Sequence, residues 1–356
     1  MDATYVGAYG RLKVYEVDFL KKDFLEHLIS LDKPSDFSSV LYASVYKEDY
    51  DALTSIYREP DLTEMAINRH LVRMNRIAAF AIPPLAKNAL TAYISKWDIE
   101  NIKTVISSKF LGHGLKETEM FIVSFRDIPM GLIGGVLTNE DYRNMMNLPN
   151  VEAIINYLTR YGYGSYMLQF IEDYRKTGDI SPMLYSLDRY YYARLLESLK
   201  YYNGDEGPVI NYIRSDIDRI NLNTILKGKK LNISYERFFS GLVDGGNIPI
   251  NAIHDFYGNS DILSMIDSIK RYYDLEDAKN KYASDGNLYH FDVSMRNIMI
   301  TKYMGTMSML PLSLDSIFYF IIRAEIERQN LRTIYEAKLH GAPKESIYDL
   351  MINGVV

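Results

Sequence analysis

The chain has 356 residues and not one cysteine. That excludes disulfide staples, cysteine-based zinc sites and thiolate catalysis together, and it suits a reducing compartment. Long apolar runs are missing as well. The most apolar stretches, FIVSF from Phe121 and SIFYFII from Ser316, fall far short of the ~20 residues that cross a bilayer. No membrane span is therefore expected. The opening MDATYVGAYGRLKVYEVDFL has no basic region followed by an apolar one, so it does not read as a signal peptide. A basic excess is lacking too: the net charge is −6 and the pI about 5.6, which argues against a nucleic-acid partner. The six histidines, His27, His70, His113, His254, His290 and His340, contain no pair at the spacing of a zinc-binding helix.

Hydrophobic residues make up 47% and charged residues 24% of the chain, an ordinary globular balance. The length fits two or three domains at ~150 residues each. Thirty-one tyrosines stand out, and they read mainly as compositional bias, with some use where packed helices meet water. Apolar residues recur at three- and four-residue steps in VDFLKKDFLEHLISL and MLYSLDRYYYARLLESLKYY, so the fold class is mainly α.

One helix is written three times. WDIENIKTVISSKFLG from Trp97, IDRINLNTILKGKKLN from Ile217 and IERQNLRTIYEAKLHG from Ile326 align without a gap. Each carries an acid (Asp98, Asp218, Glu327), then an asparagine (Asn101, Asn221, Asn330), a threonine (Thr104, Thr224, Thr333) and a lysine (Lys109, Lys229, Lys338), always at the same spacing. Gly112, Asn232 and Gly341 follow, the two residue types that best accept the left-handed conformation past a helix end, and a lysine in the last turn suits the helix dipole. At about 100° per residue the shared positions occupy an arc of roughly 160°, the width of a packed face. The asparagines and threonines are expected to bond to neighbouring helices, because unpaired they would be costly. Three copies of a ligand site is the alternative.

Other elements recur in step with this helix. Asn68 and Asp188 precede Asn101 and Asn221 by the same interval, and Asp292 precedes Asn330 by a slightly longer one. GLIGGVLT from Gly131 and GLVDGGNIP from Gly241 also correspond. Repeats of this length are too long for a solenoid of helix pairs. They imply three similar helical domains, 1–128, 129–238 and 239–356.

Local signatures of catalysis are absent. GLIGGVLT lacks a following Lys-Ser/Thr, RYGYGSYM lacks a third glycine, and LKGKK falls inside a repeated helix, so none reads as a phosphate loop. A Gly-x-Ser-x-Gly elbow does not occur. No catalytic residue, cofactor or metal is expected.

The segment YFIIRAEIERQNLRTIYEAKLHGAPKESI, with Arg323, Glu327, Asn330, Leu331, Arg332, Gly341, Pro343 and Glu345, resembles the C subunits of archaeal and bacterial A/V-type rotary ATPases, relatives of the d subunit of the vacuolar pump. WDIENIKTVISSK and AYGRLK are similar to the family too, although the latter has Gly10-Arg11-Leu12-Lys13 where an Ala-Arg-x-Arg is usual, and Glu327 is displaced by one from its commonest position. The resemblance implies three helical domains around a pseudo-threefold axis, forming a funnel. It implies a non-catalytic part on the cytoplasmic face of the membrane. That part would cap the proteolipid rotor ring, receive the shaft subunits D and F, and pass torque from the A and B nucleotidase subunits. The rivals are a three-domain helical scaffold for a soluble protein and, behind it, a helical enzyme with a site between domains.

Overall fold

The computed structural model describes residues 3–113, 136–200 and 207–353, and among these every regular element is helical. The strand-like FIVSF lies outside the described residues. The chain is divided into two units: Met1–Ala86 with Asn203–Tyr212 and Leu275–Val356, and Lys87–Tyr202 with Ile213–Asp274. Each unit draws on more than one of the sequence repeats, and the first joins the opening of the chain to its end.

The repeat helices are Lys96–Phe110, Gly207–Lys230 and Leu314–Leu339. The second of these contributes 207–212 to the first unit and the rest to the second. All three stop alike. Gly112, Asn232 and Gly341 have φ of 74°, 53° and 66°. The next N–H folds back to a carbonyl near the helix end: His113 to Ser108, Ile233 to Gly228 and Ala342 to Ala337, at 2.9, 2.9 and 2.8 Å. This left-handed exit satisfies carbonyls that the helix end leaves open.

A pair of short amphipathic helices accompanies each repeat helix within its unit. Asn139–Asn147 and Val151–Leu158 follow the first. Ile250–Tyr257 and Ile262–Ile269 follow the second. For the third the pair comes from the start of the chain, Lys22–Ser30 and Pro34–Tyr42. The second member of each pair starts sharply. Asn150 and Asp261 accept from Ala153 N–H and Ser264 N–H at 2.9 and 2.8 Å, and Pro34 opens the remaining one. Such caps are worth about 1 kcal/mol each.

A longer helix completes two of the sets. Asp61–Ala81 packs along Leu314–Leu339 and Ser181–Leu199 along Lys96–Phe110. Arg328 Nε donates to Asn68 Oδ1 at 2.7 Å in the first unit, and Lys103 Nζ to Asp188 at 2.6 Å in the second. The third long helix, Tyr289–Met299, runs through a π turn at Ile300–Met304 into Gly305–Ser308. That turn accounts for part of the longer interval between Asp292 and Asn330. Helix continues from Asp292 to Ser308, a longer run than that from Asn68 to Ala81. Wider i→i+5 turns admit added residues without breaking the helix.

Candidate functional site: one tie, made three times

The acid of each repeat helix is buried and points at the entrance to the neighbouring short helix. Asp98 accepts from Val136 N–H at 2.7 Å and also from Leu137 N–H, just before Asn139–Asn147. Asp218 accepts from Asn247 N–H and Ile248 N–H, both at 3.0 Å, just before Ile250–Tyr257. Glu327 accepts from Leu20 N–H at 2.7 Å, just before Lys22–Ser30. A tyrosine that follows the second short helix then donates its hydroxyl to the same carboxylate: Tyr163 to Asp98 at 3.0 Å, Tyr273 to Asp218 at 2.5 Å and Tyr46 to Glu327 at 2.7 Å. Asp98 takes Tyr142 besides, at 2.7 Å. Burial pushes Asp98 up to about 6 against the pull of these donors, and raises Asp218 and Glu327 in the same direction.

The lysine of the same repeat helix, some three turns further along, holds the other end of the short helix. Lys109 Nζ donates to the Met146 carbonyl at 2.8 Å, Lys229 to Tyr257 at 2.9 Å, and Lys338 to Ile29 at 3.0 Å and to Leu31. Each acceptor lies in or just past the last turn of its helix, where carbonyls are unpaired and the dipole is negative. A carboxylate at the entrance and an ammonium at the exit, about 16 Å apart along the repeat helix, clasp a short helix running parallel to it. Sequence alone assigns each lysine to its own helix end; its bond is to the neighbour's.

Asn221 reads the backbone of Val243 in both directions, donating to its carbonyl and accepting from its N–H at 2.8 Å each. Asn330 does the same to Ile352, at 3.0 and 2.9 Å. Both partners stand at the same distance along the chain, in non-helical segments rather than in a neighbouring helix. Asn101 is equally buried, and Val123, the corresponding position, lies outside the described residues. The threonines behave differently from expectation. Half-buried Thr104 and Thr224 donate to the carbonyls of Glu100 and Ile220 one turn back in their own helix, both at 2.9 Å, and Thr333 is half-buried. A hydroxyl on so short a side chain reaches its own i−4 carbonyl before it reaches another helix.

The Gly-Gly of GLVDGGNIP belongs to the tie. Gly245 has φ of 97°, and a Cβ on Gly246 would stand 2.2 Å from Asp218 Oδ1, so the chain there must be glycine to reach the carboxylate. The corresponding Gly134-Gly135 lies outside the described residues. The glycines of RYGYGSYM and LKGKK serve packing. A Cβ on Gly164 would meet the Ile155 carbonyl at 2.3 Å, and one on Gly228 would meet the Phe238 ring at 2.7 Å.

Among the described residues no group of His, Asp or Glu could hold a metal ion, and no helix is long and apolar enough to cross a membrane. His70 is buried against Tyr46, ring centroids 4.0 Å apart, with Nδ1 2.9 Å from Asp49. His290 pairs with Asp285 at 2.8 Å. In the first unit a cavity of about 500 Å³ opens beside Glu327 and Asn330. Sequence reasoning misses the tyrosines of the ties. Their signal is a tyrosine at a nearly constant distance past the point where the chain meets each acid, and it is hidden among thirty-one.

These observations define a helical repeat protein in which buried acids and the lysines three turns on fasten each repeat helix to a short neighbour, while buried asparagines hold non-helical backbone. The family described as ATP synthase (C/AC39) subunit matches residues 8–350, and the chain belongs to that family. It is 63% identical over 352 residues to the C subunit of the A-type ATP synthase of Thermoplasma acidophilum, covering 99% of each chain. To the C subunit of the Methanocaldococcus jannaschii enzyme it is 22% identical over 355 residues, covering 99% of this chain and 87% of that one. To that of Haloquadratum walsbyi it is 25% identical over 324 residues, covering 88% of each. The chain is a non-catalytic subunit of a rotary ATP synthase.

Proposed function

We propose that this chain caps the membrane rotor ring and couples it to the central shaft. It passes torque between ATP hydrolysis or synthesis in the A and B subunits and ion transport through the ring. Its partners are the proteolipid ring on one side and subunits D and F on the other, and it sits peripherally on the cytoplasmic face. In this reading the repeats 1–128, 129–238 and 239–356 are three equivalent domains about a pseudo-threefold axis, forming a funnel.

The observation that carries the reading is the tie itself, in a member of this family. A coupling part must resist twisting, and a helix fastened at one end by a buried acid and at the other by a lysine cannot slide along its neighbour without breaking charge-assisted bonds. The acid and lysine of each copy are engaged within the fold, which fits a mechanical role.

The reading is tested by pulling the tagged chain out of mildly solubilised host membranes and identifying what accompanies it. Recovery of a small proteolipid with the two large nucleotidase subunits and the shaft is the expected result. Recovery of soluble partners alone, from cells whose rotary complex is intact, would replace it with the scaffold reading.

A further inference from the structure

The helix Val6–Tyr15 is apolar on two opposite sides. One side carries Ala8 and Leu12, both buried, and packs against Asp61–Ala81 and Leu314–Leu339 in the same unit. The other carries Val6, Gly7, Gly10 and Val14, and Val17 continues it into the next turn. At about 100° per residue these positions fall within an arc of roughly 100°, the width of a packed stripe. All of them face water. Val6, Val14 and Val17 are 54%, 67% and 77% exposed, and a Cβ placed on Gly7 or Gly10 would meet nothing within 4 Å. A surface helix is ordinarily polar on the side away from its core, and one that is apolar on both sides is built to be covered on both.

Cations flank this stripe, Lys13 on one side and Arg11 on the other. Lys13 is held by Glu16 at 2.7 Å, whereas among the described residues no carboxylate pairs with Arg11. The Arg11 guanidinium stands 5.2 Å from the ring of Phe80, which is 79% exposed near the end of Asp61–Ala81. Arg76, one turn before Phe80, is exposed and has no acidic partner among the described residues either. The region is therefore apolar at its centre and positive along one edge, on a chain whose net charge is −6. That edge calls for an acidic partner, to which a guanidinium bonds bidentately.

The spacing of Gly7, Gly10, Val14 and Val17 is that of a coiled-coil seam, three and four residues by turns. At the two glycines the seam is bare backbone, which lets a second helix approach closely. A lipid surface would gain nothing from side chains that are missing. An extended segment would find no open N–H or C=O groups along the side of a helix.

We propose that this stripe seats an α-helix from another subunit of the synthase, apolar along its seam and acidic along the edge that faces Arg11 and Arg76. Apolar side chains of that helix fill the notch over Gly7 and Gly10, and its flank covers Phe80. The proposal needs only that the chain is a subunit of the complex, so it stands or falls apart from the ring-and-shaft reading.

The chain has no cysteine, so Val14→Cys and Val17→Cys each introduce a single thiol, at an exposed position that should leave the thermal midpoint of the free chain unchanged. Maleimide should label that thiol about tenfold or more slowly in the intact purified complex than in the free chain, because reaction is confined to moments when the stripe is open. A benzophenone carried on the two thiols in turn should crosslink to one subunit, at residues three or four apart as on one side of a helix. Arg11→Glu with Arg76→Glu should let the chain leave the complex at lower salt than the parent, and Arg→Lys at both positions should retain it. Equal labelling in the free chain and the complex would overturn the proposal. So would crosslinks to lipid alone, crosslinks without helical spacing, or a charge-reversed chain released no earlier than the parent.

Discussion

Lys338 Nζ meets the carbonyl of Ile29, 309 residues back in the sequence, at 3.0 Å. With Glu327 on Leu20 and Tyr46, it fastens the last long helix to the opening of the chain inside one unit. The first two repeat helices make the same tie to segments that follow them closely. The third finds its partner at the other end of the polypeptide, so the final copy is closed by the first residues rather than by residues still to come.

Lys338→Met should therefore cost about 2 kcal/mol, the range for a lost charge-assisted bond whose buried acceptors are left unpaired. Lys338 is 7% exposed, whereas Lys109 and Lys229 are half-buried, so water replaces the lost ammonium more readily there. Urea unfolding of the three Lys→Met variants should rank Lys338 as the most damaging. Equal losses would show that burial of the ammonium does not set the strength of the tie.

Asp98 gives the chain a pH signature. Its carboxyl is raised to about 6 by burial, above the ordinary value near 4. The folded state thus holds a proton that the unfolded state releases, and stability from this group is fullest below about pH 4 and is lost as pH rises through 6. A displacement of that size corresponds to about 3 kcal/mol. Asp98→Asn removes the slope, so the variant should gain on the parent by up to about that amount between pH 4 and pH 7 in denaturant titrations. A constant difference across the range would contradict the assignment. Asp218 and Glu327 shift in the same direction.

How far these features are legible depends on whether they reside in side chains. The three helices, their stops and the shared acid, asparagine and lysine can be read because a packed face repeats the same residue types at the same spacing. The partners cannot. Met146, Tyr257 and Ile29 are engaged through backbone carbonyls, a group every residue possesses, so their positions carry no compositional mark. Thr104 and Thr224 sit on the shared face yet bond within their own helix; repetition locates them without revealing where the hydroxyl turns. Tyr46, Tyr163 and Tyr273 are submerged in a general excess of tyrosine. The link from Glu327 to Leu20 spans 307 residues, and helical periodicity is silent on such distances.

Gly246→Ala should break the second tie at its narrowest point. The added methyl would lie 2.2 Å from Asp218 Oδ1, closer than any real contact, so either the carboxylate or the backbone of Asn247 and Ile248 must withdraw. A loss of about 2 to 4 kcal/mol is expected, from overpacking together with unpaired buried donors. Hydrogen exchange at the Ile248 amide should accelerate in proportion. Unchanged protection there would mean that the loop yields without disturbing Asp218.

The most direct test of the coupling role is ATP-driven ion pumping in inverted membrane vesicles from cells lacking this chain, before and after adding back the purified protein. Vesicles without it should hydrolyse ATP with no ion movement, and add-back should restore a gradient that a ring-directed inhibitor abolishes. Pumping that proceeds equally well without the chain would contradict the proposed place between shaft and ring.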